Sequence, residues 1–525
     1  MKRRNFLRTA GATAALTPFL HKGFAISPLA KDSVFGMLGA AASINGKIMV
    51  FIELSGGNDG LNTLIPLDQY SKLANHRGTI LIPENKVLDL NGAPDTGLHP
   101  AMTGLQEMFN DGLVSIVQNV GYPQQDYSHF RSMDIWHTAS DSGQYFDTGW
   151  LGRTLQGEYP SFPEGYPNDV TPDPLAIQIG SILPLAFMGT AFPMGMSLGG
   201  ADNFDDAFIN DFIEPAPATP YGDELEYIRL VQRQSQEYYD VIKEAAEAQP
   251  DNLSGMYPPQ YQNYLADQLR IVARLIGGGM QTPVYVVSYG GFDTHSEQVQ
   301  QGAPDQGFHA YLLGQVSEAI AAFQDDLRLM GKDENVAGMT FSEFGRTIAS
   351  NGSIGTDHGA AAPLFVFGKG VNPGVIGGNP DIPVNLDQSG DVPMQHDFRQ
   401  VYASVLQDWF GLTNLGDILF KDFDILPIFK GASPVRENKW DDFGVGNYPN
   451  PVRSYTTITF TSFSNAQVTI NLMDAQGRFL LKIAEGNYPT GAHQVRFDRS
   501  NLPSGTYFYQ VKLNGIGVTK KMLVF

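Results

Sequence analysis

The 525-residue chain contains no cysteine. No disulfide can staple its fold, and no thiolate can act as a nucleophile or metal ligand. A chain this long has enough interior to hold together without one. Charge is also scarce. Only 17% of residues are charged, against 42% hydrophobic and 11% aromatic, which excludes a disordered chain. Basic residues are the scarcer sign: 34 Lys+Arg stand against 55 Asp+Glu, a net charge of −21. Such a surface repels phosphate backbones, so no nucleic acid partner is expected. It favours solubility and tolerates divalent cations. Apart from the N-terminus, long apolar runs are missing, so no transmembrane segment is expected.

The charge is unevenly placed. Residues 1–25 carry Lys2, Arg3, Arg4, Arg8 and Lys22 and no acid, giving +5. Residues 448–525 carry eight Lys/Arg against Asp474, Glu485 and Asp498, again +5, which leaves −21 − 5 − 5 = −31 for the middle. The first residues read as a signal peptide over 1–25. Basic Lys2-Arg3-Arg4-Asn5-Phe6-Leu7-Arg8 precedes an apolar stretch to about Leu20 and a small residue at Ala25. Paired arginines followed by Phe-Leu resemble the twin-arginine signal, which exports folded proteins. An ordinary Sec signal is the alternative.

A linker is expected over 431–447. From 448 to 525 the pattern changes to alternating strands, such as Thr457-Ile458-Thr459-Phe460 and Val468-Thr469-Ile470-Asn471-Leu472. Turn residues such as Asp474-Ala475-Gln476-Gly477 separate them. This is the pattern of a small all-β sandwich. The order of its short motifs resembles the sorting domain of type IX secretion cargo. The resemblance implies type IX machinery as a partner and a secreted or cell-surface location. The alternative is a carbohydrate-binding or adhesive sandwich.

Between the ends, residues 45–430 alternate strand-like and helix-like stretches. Lys47–Leu54, Leu113–Val117, Pro283–Tyr289, Val336–Phe341 and Pro363–Phe367 read as buried strands. Phe308, Leu312, Val316, Ile320, Phe323 and Leu327 fall on one helical face, as do Tyr261, Leu265, Leu269, Val272 and Ile276. This alternation predicts an α/β fold: a mostly parallel sheet flanked by helices. Residues 155–220 read as an irregular insertion and 223–276 as a helix pair.

In such sheets chemistry gathers beyond the carboxyl ends of strands. Here those places hold Ser55–Thr63, Gly290–His295 and Ser342–His358. Asp59, the Asp293/His295 pair and the Asp357/His358 pair form the central constellation. Carboxylate and imidazole together suit Zn²⁺ or Mn²⁺ better than an all-oxygen Ca²⁺ cage. Each residue also has a plain structural reading. Asp59 suits a helix cap, Ser128 an N-cap and His129 a packed side chain. Glu343 and Arg346 suit a supporting pair, His309 a structural helix start, and His396 either a ligand or a cap.

Several motifs resemble a sulfatase-like family of unknown function, family 1501, of the alkaline phosphatase-like superfamily. They are Gly56-Gly57-Asn58-Asp59-Gly60-Leu61-Asn62-Thr63, Ser128-His129-Phe130, Gly149-Trp150-Leu151-Gly152-Arg153, Gly291-Phe292-Asp293-Thr294-His295, Ser342-Glu343-Phe344-Gly345-Arg346 and Gly355-Thr356-Asp357-His358-Gly359. The resemblance spans about residues 45–415. It implies an alkaline phosphatase-like fold and a metal-dependent hydrolase of phosphate or sulfate esters with one or two ions. Asp59, Asp357 and His358 match the places of one metal's ligands. Asp293 and His295, with His396 or His309, would serve a second. One residue separates Asp293 from His295 where phosphatases usually place three. The sulfatase Cys/Ser-x-Pro-x-Arg motif is absent, so the nucleophile the resemblance implies is Ser128, with Thr63 second. The competing reading is a non-catalytic protein on the same fold that binds a surface glycan or a partner.

Overall fold

The computed structural model describes residues 46–160, 162–168, 170–199, 237–431 and, with short gaps, 445–525, besides two three-residue stretches before residue 27. Most of the expected signal peptide, most of the expected linker, the first part of the expected helix pair and the Asp474–Gly477 turn lie outside the described residues. The chain divides into two compact units, a body of Ala42–Ala432 and a unit carrying Ser433–Phe525.

The body is built on one nine-stranded sheet. Its strands are β1 (Ile48–Ser55), β2 (Val114–Gly121), β3 (Ala176–Ile179), β4 (Met196–Leu198), β5 (Val284–Gly290), β6 (Val336–Phe341), β7 (Ala362–Phe367), β8 (Gly374–Ile376) and β9 (His396–Asp397). The spatial order is β8-β2-β7-β6-β1-β5-β3-β4, with β9 added beside β2. Every pairing is parallel except the two made by β7, which runs against both β6 and β2. The sheet is therefore mixed but mostly parallel, as the sequence pattern predicts.

Strand β1 shows why its sequence is a continuous apolar run. Val50, Ile52 and Leu54 enter one buried cluster with Leu269, Val272, Leu312, Ile320 and Phe323. Met49 and Phe51 enter another with Trp150, Leu155, Val401 and Tyr402. Successive side chains point to opposite faces, and helices cover both. The helices of the body include α1 (Tyr70–Arg77), α2 (Thr103–Asn110), α3 (His129–Thr138), α4 (Trp150–Glu158), α5 (Tyr264–Gly277), α6 (Phe308–Leu329) and α7 (Phe398–Ser404).

Two expectations are corrected here. Tyr261 does not share the face of α5. Asn263 caps the helix by accepting from the Ala266 N–H, so the helix starts after Tyr261, which is 82% exposed. The stretch 155–220 is not wholly irregular, because it supplies β3 and β4. Residues 175–179 are buried beside β5, but the run is short and bracketed by Pro174 and Gly180, which makes it read as loop.

The C-terminal unit contains a three-stranded sheet and a four-stranded sheet. The first is β10 (Gly446–Tyr448), β11 (Tyr455–Ser462) and β14 (Gly491–Asp498). The second is β12 (Ala466–Met473), β13 (Phe479–Tyr488), β15 (Gly505–Leu513) and β16 (Ile516–Val524), in the order β13-β12-β15-β16. All pairings are antiparallel. Ile458 and Phe460 from the first sheet bury against Val468, Ile470, Leu472, Tyr509 and Val511 from the second. Ile458 and Phe460, then Val468, Ile470 and Leu472, then Tyr509 and Val511 are alternate residues of their strands and face inward, which is the sandwich arrangement.

Candidate metal centre

Strands β2, β6, β1 and β5 run the same way, so their carboxyl ends open at one edge of the sheet. The loop after β1 turns sharply at Gly56 and Gly57, whose φ values are +126° and +78°. A Cβ on Gly56 would lie 2.3 Å from the Asp293 backbone nitrogen. This position thus needs glycine both for its backbone angle and for its close approach to the loop after β5. Gly56→Ala is expected to destabilise the body by about 1–3 kcal/mol or more, as forced overpacking does. Thermal unfolding followed by tryptophan fluorescence checks this.

Four groups meet at this edge. Asp293 and His295 follow β5, His358 precedes β7, and His129 is the first residue of α3, which follows β2. The Nε2 atoms of His295 and His358 lie 3.2 and 3.4 Å from Asp293 Oδ1. His129 Nε2 lies 3.5 Å from Asp293 Oδ2. His295 Nε2 and His358 Nε2 are 2.9 Å apart. The four side chains are partly open to solvent, between 21% and 50% exposed.

The other nitrogen of each ring fixes its tautomer. Nδ1 of His129 lies 2.7 Å from Glu343 Oε1, Nδ1 of His295 lies 3.0 Å from Asp357 Oδ1, and Nδ1 of His358 lies 2.7 Å from the Tyr127 carbonyl. Carboxylates and carbonyls accept, so each Nδ1 carries a proton and donates it. A ring in its neutral form then has its lone pair on Nε2, and the three Nε2 atoms turn toward one carboxylate. Lone pairs that face one another at such distances repel unless a cation lies among them.

These residues fit a divalent cation. Imidazole nitrogen and carboxylate oxygen bind Zn²⁺ at about 2.0–2.2 Å, which puts neighbouring donors of a tetrahedron about 3.3 Å apart. The observed separations from Asp293 are of that size. The ligand atoms of His129, Asp293 and His358 all lie within 4.8 Å of one another. A carboxylate or carbonyl on the remote nitrogen is the usual support for a metal-binding histidine.

Electrostatics agree with this arrangement. Burial pushes the Asp293 carboxyl up, but the Arg346 guanidinium and the nearby imidazoles outweigh it and hold it below the usual carboxylate range. Arg346 is itself buried. It donates to Asp293 Oδ1 at 2.7 Å and to the carbonyls of Gly56, Gly57, Phe292 and Thr356, tying three loops together. The Asn351 amide and His295 hold the Asp357 carboxyl low. Burial pushes the His358 imidazole down, which favours its neutral, ligating form.

Asp293, His295, Asp357 and His358 are thus brought together, with Asp357 reaching His295 rather than Asp293. No hydrogen bond or ion pair joins Asp59, His309 or His396 to them among the described residues. Asp59 caps the single turn Gly60–Thr63 through the Leu61 N–H, and its carboxylate also accepts from Arg77 Nη1 and Gln298 Nε2. His309 Nε2 lies 2.9 Å from Asn58 Oδ1. His396 sits in β9 beside Val120. Thr63 is buried, with its hydroxyl donating to the Asp59 carbonyl and accepting from the Asn58 amide. Ser128 is exposed at the N-cap position of α3, and its hydroxyl does not cap the helix.

His129 does pack, against Phe344 and His358, and it also turns toward Asp293, whereas the pairing of Glu343 with Arg346 does not hold in this geometry. Glu343 turns to His129, and Arg346 turns to Asp293. A signal for His129 was present. Like the other members it lies just past a strand of the parallel set, in a motif flanked by polar residues, at the start of a helix.

Comparison with known families agrees with the two-part organisation. Residues 220–421 match a family described as a protein of unknown function, DUF1501. Residues 447–525 match a secretion system C-terminal sorting domain. The first match leaves out the Gly56–Thr63, Ser128–Phe130 and Gly149–Arg153 motifs. No curated protein matches the chain. One similar solved structure is a protein in the alkaline phosphatase superfamily from Vibrio parahaemolyticus, at 11% identity and TM-score 0.32, covering 89% of this chain and 85% of that one. Another is the lipoteichoic acid synthase LtaP from Listeria monocytogenes, at 11% identity and TM-score 0.31, covering 84% and 88%.

Proposed function

We propose that this chain, with a DUF1501 segment in its body and a secretion sorting domain as its tail, is an exported metal-dependent hydrolase of phosphate or sulfate esters. The observation that carries the reading is the convergence of three Nε2 lone pairs on Asp293, each ring fixed from behind by an acceptor. Zn²⁺ or Mn²⁺ bound there would supply Lewis-acid polarisation of an ester oxygen.

The chain's own residues supply the rest. His129, His358 and Asp293 would hold the cation at a mouth open to solvent, with His295 beside them. Helix α3 starts at the same mouth without a side-chain cap, so the N–H groups of its first turn and its dipole favour an anionic ester group. Ser128 stands between Tyr127, whose carbonyl holds His358, and His129. It is the proposed nucleophile, and its hydroxyl proton would leave to solvent at the open mouth, since the three imidazoles use Nδ1 for their acceptors and Nε2 for the cation. The basic first residues suggest twin-arginine passage of the folded body, with the metal acquired before export. The tail suggests type IX passage to the cell surface or medium.

One observation favours the second reading, a non-catalytic protein that binds a surface glycan or partner. Among the described residues, no hydrogen bond joins Ser128 Oγ or Thr63 Oγ1 to any of the three imidazoles.

Metal analysis of the purified protein, with hydrolysis of generic aryl phosphate and aryl sulfate esters, tests the proposal. Bound Zn or Mn and an activity lost in Ser128→Ala would support it. His358→Ala is expected to weaken metal binding by more than about 100-fold, beyond the 10–100-fold that follows loss of an outer partner. A metal-binding protein inactive on both ester classes would favour the binding reading. A folded protein that takes up no metal would remove both the centre and the hydrolase.

A further inference from the structure

We propose that Glu343 is a positioning residue for His129, holding its ring so that Nε2 rather than Nδ1 is offered to the metal. The inference rests on the metal-centre reading above and adds to it a residue that would not itself touch the metal.

Glu343 follows β6 and is 1% exposed. Its Oε1 accepts from the Gly56 N–H at 2.9 Å and from His129 Nδ1 at 2.7 Å, and its Oε2 accepts from the Ser342 hydroxyl. Its one ion-pair partner within 4 Å, among the described residues, is His129. A buried carboxylate is normally paired with a cation. Here the only partner able to carry positive charge is the imidazole, so the carboxylate faces the centre's charge through that ring. Phe344 and His358 pack against the same ring, with centroids 4.9 and 4.5 Å away. The ring's plane and its protonated nitrogen are therefore both set from one side.

The backbone of Glu343 does a separate job. Its carbonyl accepts from Ser132 Oγ at 2.6 Å and from Trp136 Nε1 at 2.9 Å. Residues 129, 132 and 136 are spaced i, i+3 and i+7, one face of α3. A single residue thus docks the helix with its main chain and orients the histidine with its side chain. The two roles can be separated, because a side-chain substitution leaves the carbonyl in place.

The test measures Zn²⁺ affinity of the full chain by competition with a chromophoric chelator, in wild type, Glu343→Gln, Glu343→Ala, His129→Ala and the Glu343→Gln/His129→Ala double variant. Glutamine keeps an acceptor but removes the charge, and alanine removes both. The expected order is wild type, then Glu343→Gln, then Glu343→Ala, with the total loss about 10–100-fold, as for other outer-shell partners. In the His129→Ala background the Glu343→Gln change is expected to have no further effect, since its influence passes through that ring. Histidine-selective ¹⁵N spectra are expected to show a protonated Nδ1 for His129 in wild type and a tautomer mixture in Glu343→Ala. Glu343→Gln with wild-type affinity, an undiminished effect without His129, or failure of Glu343→Gln to fold would each overturn the inference while leaving the metal centre standing. A wild-type chain that binds no Zn²⁺ would overturn both.

Discussion

Replacing Arg77 with methionine is expected to cost the body about 3–5 kcal/mol, the range for breaking a buried ion pair from one side. Arg77 and Asp59 are both fully buried, with Nη1 2.9 Å from Oδ2. The guanidinium also donates to Asn62 Oδ1 and to the carbonyls of Thr347 and Ile348. Methionine fills much of the volume but leaves a buried carboxylate with only the Gln298 amide and one backbone N–H. Burial alone would push the Asp59 carboxyl up. Arg77, His309 and Gln298 instead hold it below the usual range, so it is charged in the folded protein. Adding Asp59→Asn to Arg77→Met is expected to recover a good part of the loss, because the orphaned charge is gone. Denaturant unfolding followed by tryptophan fluorescence reports on the body through Trp136, Trp150 and Trp409. A single-variant loss below about 1 kcal/mol would contradict the buried-pair account. Because the lone pairs of Asp59 are taken by protein donors, Asp59→Asn is also expected to keep its metal.

The second large effect is acid sensitivity from a histidine whose burial outweighs the nearby Asp59 carboxylate. His309 is fully buried on α6, and burial lowers its imidazole to about 4. Its neighbour His99, with ring centroids 6.2 Å apart, is lowered by burial to about 3. In the unfolded chain a histidine titrates near 6.5. As pH falls below that value, the unfolded state takes up a proton that the folded state refuses, so stability declines. The loss from His309 begins near pH 6.5 and is complete near pH 4, about 3 kcal/mol at 1.36 kcal/mol per unit. The stability of wild type is therefore expected to fall steeply between pH 7 and 4. His309→Asn, which can keep a donor toward Asn58, is expected to be less stable at pH 7 but to show a flatter slope over that interval. Equal slopes in the two proteins would contradict a neutral, buried His309.

Much of this molecule is legible in the amino-acid order. The apolar run Ile48–Leu54, ending in a glycine turn, reads as a buried strand, and the structure covers it on both faces. The 3.6-residue spacing from Leu312 to Leu327 specifies α6, and the alternation in Val468–Leu472 specifies a half-buried antiparallel strand. The glycine-flanked polar motifs past β1, β5 and β6 mark an edge where chemistry collects, because a parallel sheet brings its strand ends together. Local pattern fails where an element is too short to show a period. Strands β3 and β4 have four and three residues and were hidden in proline and glycine.

Roles within the site were harder to read than its location. Asp59 and Asp293 look alike in sequence, each acidic and each just past a strand in a glycine-rich turn. Arg77, eighteen positions away on α1, claims the first. Three imidazoles from separate loops surround the second. Whether a carboxylate becomes a buried ion-pair partner or faces a cluster of lone pairs depends on which distant donors reach it, and sequence spacing does not encode that distance. His129 makes the same point in reverse. It read as a packing residue because only the fold brings Glu343 to one side of its ring and Asp293 to the other. The sequence by itself determined the two-part organisation, the acidic body with basic ends, and the strands whose carboxyl ends hold the site. The tertiary structure alone decided which acids and histidines share a charge, because Coulomb and hydrogen-bond interactions act over a few ångström of space rather than along the chain.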